Sequence, residues 1–565
     1  MSLIGSMQIA SNALFAQQVG LQVVANNIAN ANTKGYIRQR MVLTPGPTQK
    51  IGKLPLGLGV KVDSIIQVVD KFVQERLRAA NSDLLSFQTQ ERAHLELEVI
   101  VGELSETDLS SSLNNFFGSI NDVVNQPGDI SLRRLAVLEG VTLTDDIRRL
   151  DNRVRDLRTN VNREVIAMAD DINRLSDEIA GLNVKIVVVE EGGANASDAV
   201  GLRDQRGVAL EELANIVGIQ AVEQDSGSVS VSVGGEFLVS DATHRAVEAS
   251  NTIVDGTNIA TINIVATDAP LRTSTGKLAG LYTARDEIYG GFLTDLQVLT
   301  GALIFDFNKV FSSGQGLTGF KSVTGTTAVT NTTAALDAAG LAFTPENGSF
   351  QIQVKNTVTN VTQTVDVFID LNGLTTDTSL ADVTATINAI SGISAQITLD
   401  NRLQITSDSN LTEFEFAKDT SGVLAALGIN TFFTNSTTND IGINQAVQDD
   451  ATKFVGSRNG VGVDSEQAIA LAGFIDTPLA TYGQRSLSII YEDFVGEVVQ
   501  SAAVARSVTK GFLTFARTLE GQHLGISGVS IDQEAVNMLS YQRAFQASAR
   551  LIATIDELLG ILVSL

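Results

Sequence analysis

Cysteine is absent from this chain of 565 residues. That removes disulfides, thiolate nucleophiles and cysteine-ligated metals together. Histidine is nearly absent. His94, His244 and His523 stand far apart, which argues against a histidine-based metal site. Positive charge is in deficit, with 39 Lys and Arg against 64 Asp and Glu and a net charge of −25. A chain this acidic lacks the basic patches that phosphate binding needs, so nucleic acid and anionic membranes are poor candidates for its main partners. No apolar run approaches the ~18 residues of a membrane span, and no membrane insertion is expected. The N-terminal stretch MSLIGSMQIASNALFAQQVG has no basic region, and Gln, Ser and Asn break its apolar run. It does not read as a cleavable secretory signal, which predicts a chain that stays in the cytoplasm or leaves it with its N-terminus intact. P-loop, G-x-S-x-G and H-E-x-x-H motifs are missing. Ser507-Val508-Thr509-Lys510 fits the S-x-x-K of some serine acylases, but it is short and falls in a helix that reads as core packing. Pairs such as Asp170-Asp171 and Glu190-Glu191 read as solvated helix surface or a helix end. No enzymatic activity, metal or cofactor is expected.

What is present is helical periodicity. Leu3, Met7, Ala10, Leu14, Gln17, Leu21, Val24, Ile28 and Ala31 step by threes and fours, the heptad pattern of a coiled coil. Further helices are predicted over 64–104, 107–125 and about 130–190, then 203–216. The third has a seam of Ile147, Leu150, Val154, Leu157, Val161, Val165, Met168, Ile172, Leu175, Ile179, Leu182 and Ile186, and EEGGANAS ends it. Residues 217–275 switch to strict alternation, as in SVSVSVGGEFLVS, which reads as a small β-region. Helix returns at about 276–312. Residues 313–450 are rich in Thr, Asn, Ser and Gly, with strand candidates such as FQIQVKN and QTVDVFIDL; they read as an inserted α+β domain. From about 464 the chain is helical again. Ser530 and Gln533 have the spacing of a capping box at the start of the last helix, whose stripe runs Tyr541, Ala544, Ser548, Leu551, Ile555, Leu558, Leu562 and Leu565. The predicted fold is mainly α with β. It is divided into an N-terminal axial helix (1–35), a helical domain in two parts (36–312 and 456–526) around an outer α+β insertion (313–455), and a C-terminal axial helix (527–565).

The first helix is unusual for what it omits. Residues 1–33 carry no charge, and no acid appears before Asp63. On a helical wheel Leu21, Val24, Ile28 and Ala31 cluster on one side. Asn26 and Asn30 lie opposite, with Asn27 flanking. An ordinary surface helix carries Lys and Glu there. A neutral polar face suits a helix covered on both sides, where an unpaired charge is costly. The expectation is that Leu3, Met7, Leu14, Leu21, Val24, Asn26, Asn27, Ile28 and Asn30 serve subunit assembly, the polar ones finding partners outside their own chain.

The motif ANNIANANTKGYIRQ (25–39) resembles the N-terminal signature of bacterial flagellar axial proteins: rod, hook and hook-associated proteins. SGVSIDQEAVNMLSYQRAFQASARLIATIDELL (527–559) is similar to their C-terminal signature. Lys34 stands where many relatives have Pro, and Ile37 where they often have Ser. Rod and hook proteins carry these ends around largely β-rich middles. A hook-like end on a flagellin-like helical body resembles the junction-forming, hook-associated branch. The stretch from Gly348 through LAALGINTFFTN (424–435) is similar to that branch's outer domain.

The resemblance implies a structural subunit joining hook to filament, extracellular in the flagellum. It implies export unfolded through the flagellar type III apparatus. The implied partners are hook protein, a second hook–filament junction protein, copies of itself in a ring, and a cytoplasmic export chaperone on the last helix. The chaperone role is carried to Tyr541, Leu551, Ile555, Leu558 and Leu562, which also serve assembly. A hook or rod subunit is the alternative within the class. A secreted adhesin using the Thr/Asn-rich segment is the alternative outside it.

Overall fold

The structure is a computed structural model and describes residues 3–51, 54–102, 109–191, 197–254, 257–374, 376–462 and 464–564. It is mainly α with β. The chain forms two compact units. One comprises 1–93, 159–285 and 503–565, and the other 94–158 and 286–502.

The first unit opens with α1 (Leu3–Ala29), followed by β1 (Gln39–Pro45), β2 (Thr48–Ile51), β3 (Leu54–Gly57) and β4 (Val60–Gln67). β1 pairs antiparallel with β4 across a bulge at Val42/Leu43, and β2 pairs with β3. α2 (Lys71–Val101) starts where Asp70 Oδ1 accepts from the backbone N–H of Phe72 (3.0 Å) and Val73 (3.2 Å). This is N-capping. It corrects the helix read from residue 64: Ile66 is strand, and the helical register begins only after the cap. The predicted ends at 103–104 and 107–108 lie outside the described residues, and α3 (Leu109–Asn125) follows.

α4 (Ile130–Val189) runs 60 residues, and its C-terminal part, with α5 (Val200–Ile216), belongs to the first unit. Its seam is buried at every predicted position except Leu150 and Leu157, which are half-buried. Residues 192–196, in the predicted terminator, lie outside the described residues.

Two antiparallel sheets pack on α4 in this unit. One has four strands in order, β5 (Gln220–Glu223), β6 (Val229–Val233), β7 (Glu236–Ser240) and β8 (Thr243–His244). The other is β11 (Ala269–Pro270), β10 (Thr257–Ile264) and β9 (Val247–Val254). Asparagines on α4 fasten these strands. Asn173 Oδ1 accepts from Val247 N–H and its Nδ2 donates to Val247 C=O, both at 2.8 Å. Asn183 does the same at Val229 and also reaches the Asp241 carbonyl. Asn162 accepts from Ala260 N–H at 2.8 Å. Each amide stands in for a strand's peptide group, satisfying backbone that burial would otherwise strand.

Residues 276–312 are helical, as α6 (Gly276–Thr283), α7 (Tyr289–Gly301) and α8 (Asn308–Ser312), interrupted by π-helical turns at Ala284–Ile288 and Ala302–Phe307. Among the described residues this stretch alone is long and apolar enough to cross a membrane, and 67% of that window is buried in the fold, as in a core helix.

The second unit holds the Thr/Asn-rich segment: β12 (Ser322–Thr324), β13 (Gly348–Asn356), β14 (Thr362–Ile369), α9 (Leu380–Asn388), β15 (Ile393–Ile397), β16 (Leu403–Ser407), β17 (Thr412–Ala417) and α10 (Val423–Leu427). The sheets are β14-β13-β17 and β12-β16-β15, all antiparallel. Their shared core includes Phe350, Ile352, Val367, Leu380, Ile405, Phe414 and Phe416. Gln315 and Ser457 exchange backbone hydrogen bonds of 2.8 and 3.1 Å, so the two ends of the segment meet. β18 (Phe433–Thr434), β19 (Gly442–Ile443), α11 (Gln445–Asp449) and α12 (Glu466–Ala472) lead back to helix. Phe432, Phe433 and Phe454 pack into an aromatic cluster with Phe116, Phe307 and Phe311. Last come α13 (Leu487–Ser527) and α14 (Ile531–Ser564).

Candidate functional site

The terminal helices α1 and α14 pack along each other within the first unit. The line of α1 that packing buries is Ala10, Ala16, Gly20, Val23, Val24 and Asn27. The heptad seam is corrected accordingly. Val24 is on the line, but Leu3, Leu14, Leu21 and Ile28 are half-buried beside it, and Met7 is 39% exposed. The reason is the small residues. A Cβ on Gly20 would lie 2.9 Å from the Tyr541 ring, so the backbone of α1 approaches α14 more closely than a large side chain allows.

Asn27 is the hub. It is 1% exposed. Its Nδ2 donates to the Gln39 carbonyl (2.9 Å) and to Glu534 Oε2 (3.2 Å), and its Oδ1 accepts from Gln39 N–H (3.0 Å) and the Tyr36 hydroxyl (2.8 Å). The expectation that this side chain flanks a face without partners in its own chain is therefore overturned: both ends of its amide are used within the chain. Asn26 donates to Gln39 Oε1 at 3.3 Å, and Asn30 folds back onto the Asn26 carbonyl and side chain at 3.0 Å each. These two zip the end of the helix. A charge at 27 would face the Glu534 carboxylate or lose half these bonds, which explains a neutral amide there.

The loop after α1 is locked at three points. Gly35 has φ +77°, and a Cβ there would meet Val208 Cγ2 at 2.2 Å, so glycine is required by both conformation and space. Arg38 Nε pairs with Glu534 Oε1 at 2.9 Å, with the Glu534 side chain 2% exposed. Asp204 on α5 accepts from Ile37 N–H (3.2 Å) and Gln67 Nε2 (2.7 Å). Burial pushes the Asp204 carboxyl up to about 6, against the smaller effect of those bonds. Tyr36 is pushed up to about 12 by burial and by the nearby Asp204 and Glu534 carboxylates. Tyr36, Arg38, Gln39, Asp204 and Glu534 were not picked out from sequence. Glu534 stands in the quoted C-terminal motif, but its partner lies 496 residues away, and no local signal pairs them.

α14 begins with Asp532 and Glu534 in its first turn; the Ser530 hydroxyl reaches Gln533 N–H at 3.5 Å, a weak form of the expected cap. The predicted stripe divides. Ile555 is 3% exposed and Tyr541 is half-buried on Gly20. Leu551, Leu558 and Leu562 are 47%, 46% and 61% exposed. Leu565 lies outside the described residues. Among the described residues no group of three or more acids or histidines is placed to hold a metal ion.

Comparison with known proteins follows the same layout. Residues 7–36 match the family model described as flagella basal body rod protein. Residues 95–327 match the flagellar hook-associated protein FlgK helical domain, and residues 520–565 match the flagellar basal body rod FlgEFG protein C-terminal model. Flagellar hook-associated protein 1 of Escherichia coli (strain K12) is 25% identical over 578 aligned residues, covering 98% of each chain. The protein of the same name from Bacillus subtilis (strain 168) is 22% identical, over 98% of this chain and 96% of its own. The solved flagellar hook junction protein FlgK from Burkholderia pseudomallei is similar in fold, with a TM-score of 0.50 at 16% identity, over 80% of this chain and all of that one. With rod-type ends flanking a FlgK-type helical domain and relatives of one name matched nearly end to end, the chain is similar along its whole length to the flagellar hook-associated protein 1 proteins.

Proposed function

We propose that this chain is a structural subunit of the bacterial flagellum, placed at the junction between hook and filament, and that it assembles through α1 and α14. The observation that carries the reading is the leftover apolar surface of the terminal pair. Tyr541 packs on Gly20 of α1 and Ile555 is buried, while Leu551, Leu558 and Leu562 form an exposed apolar stripe beside them on α14. On α1, Ile4 and Phe15 are 73% and 60% exposed. Each such side chain contributes about 1.5–3 kcal/mol when buried, so two apolar sides on one helix fit packing against neighbours as well as against α1.

In this reading the partners are copies of the chain in a ring, hook protein below and a second junction protein above. Leu3, Met7, Leu14, Leu21, Val24, Asn26, Ile28 and Asn30 lie at or beside the contact surface of α1, with Asn27 holding it in position. Before export through the flagellar type III route, a cytoplasmic chaperone covers the stripe of Leu551, Leu558 and Leu562 and prevents early self-association. The helical middle favours this over a hook or rod subunit. Electron microscopy of a strain lacking the gene tests it. Hooks without filaments are the expected outcome; normal filaments would refute the junction role.

A further inference from the structure

In the outer segment, one sheet edge is closed and another is open. Asn388 caps β15, an edge strand: its Oδ1 accepts from Ala395 N–H at 2.7 Å and its Nδ2 donates to Ala395 C=O at 2.8 Å. Asn173 treats the edge strand β9 in the same way at Val247. An amide in that position occupies the peptide groups that a foreign strand would use at that residue.

β14, the edge of the sheet β14-β13-β17, has no such cap among the described residues. Asn356 N–H donates to the Val361 carbonyl at 3.0 Å, which marks a bonded pair of the β13–β14 hairpin. Stepping by two along the register, Gln363, Val365, Val367 and Ile369 turn their peptide groups to β13. Thr362, Thr364, Asp366 and Phe368 turn theirs to the free edge. Only Asp370, just beyond, is met, by Thr378. The strand contains no Pro and no Lys, and its pairing with β13 shows no bulge, so Asp366 is the one usual edge-blunting feature it carries. The same four residues are exposed, Phe368 to 75%.

We propose that β14 is an association edge that pairs antiparallel with β14 of a second copy of this chain, about a two-fold axis at Val365. The occupant follows from self-complementarity. In that register Thr364 faces Asp366 of the second copy, a hydroxyl opposite a carboxylate, and Thr362 faces Phe368. The two Asp366 carboxylates stand apart, whereas centring the pair on Asp366 would set them face to face. The outward peptide groups then form the bonded pairs, and Val365 meets Val365 as the close, non-bonded pair. A two-fold contact closes on itself and does not continue round a ring, so it joins free subunits or subunits of separate assemblies. It does not depend on the flagellar reading.

The lack of cysteine makes the test clean. In the full chain carrying Leu551→Asp and Leu558→Asp to silence the terminal helices, Val365→Cys brings two thiols onto α-carbons about 4.5 Å apart, inside the disulfide range of roughly 4.4–6.8 Å. Phe368→Cys leaves them about 20 Å apart at ~3.4 Å per residue. With a mild oxidant, Val365→Cys gives covalent dimer on a non-reducing gel and the more exposed Phe368→Cys stays monomeric. Equal crosslinking of both, or none at 365, overturns the register. Thr364→Pro deletes one outward N–H and should lower the dimer fraction in sedimentation velocity several-fold. An unchanged dimer fraction overturns the edge itself.

Discussion

At the scale of single residues, burial of polar groups decides the behaviour of this protein. Asn27 is held by four hydrogen bonds and lies 3.2 Å from Glu534 Oε2. Asn27→Asp removes both donated bonds and sets a carboxylate against a carboxylate. Breaking such a buried network costs roughly 3–5 kcal/mol. Amide exchange in α1 should accelerate markedly, and adding Glu534→Gln should recover part of the protection. Glu415 on β17 is the other extreme. It is 4% exposed and neither carboxyl oxygen has a hydrogen-bond partner. Burial pushes its carboxyl up to about 8, against Lys453 and Lys355 and with Glu413. A raised value means the native state binds more protons than the unfolded one. The stability from this group is full below the ordinary glutamate range and is lost as pH rises through about 8. Glu415→Gln should therefore flatten the melting temperature between pH 5 and pH 9 and raise it at the alkaline end. A mutant still losing stability over that range in parallel with the parent would show that the carboxyl is not the cause.

At the scale of elements, close approach and backbone satisfaction position the helices and sheets. α1 meets α14 closely at Gly20, on a buried line of small residues that includes Ala10 and Ala16. Gly20→Val pushes into the Tyr541 ring at 2.9 Å. Overpacking of this kind costs about 1–3 kcal/mol, and here it falls on a pair at the chain ends. Limited proteolysis should release the first 30 residues faster while the rest resists as before. Asn183 shows the other mode. It bonds Val229 N–H and C=O, the Asp241 carbonyl and Arg206. Asn183→Ala strands several buried groups at about 1–3 kcal/mol each. It should lower the melting temperature more than Asn173→Ala, which frees only the two groups of Val247.

At the scale of the whole molecule, two separable cores and an uncovered helix face matter most. The outer sheets share a core spanning residues 320–429. Phe432, Phe433 and Phe454 instead pack with Phe116, Phe307 and Phe311. A fragment of residues 318–430 should therefore melt cooperatively alone. One cut at 313 and 455 carries three phenylalanines without their partners and should aggregate on heating. The absence of a calorimetric transition in 318–430 would show that its core depends on the rest of the chain. On α14, Leu551→Asp with Leu558→Asp alters exposed positions only, so circular dichroism and the melting temperature should change little. Binding of an export chaperone and assembly onto hooks should both fail. Unchanged chaperone binding would move that surface elsewhere.

Much of this was legible in the order of residues alone. The α4 seam could be read because a 60-residue helix buried along one line repeats its apolar spacing many times. The end motifs, the β-region and the Thr/Asn-rich insertion were marked by local composition and period. What the sequence alone could not supply was every pairing across distance and every contact made by a small residue. The apolar count on α1 favoured Leu21 and Ile28, but the close approach through Ala16 and Gly20 rotated the buried line toward Asn27. On α14 two apolar stripes lie side by side, and only the packing of α1 separates Ile555 from Leu551 and Leu558. Periodicity is written locally because each helix must bury its own face. Which of two similar faces is chosen, and that Glu534 answers Asn27 and Arg38 from the far end of the chain, depends on backbones meeting in space, where hydrogen-bond geometry and van der Waals distance decide.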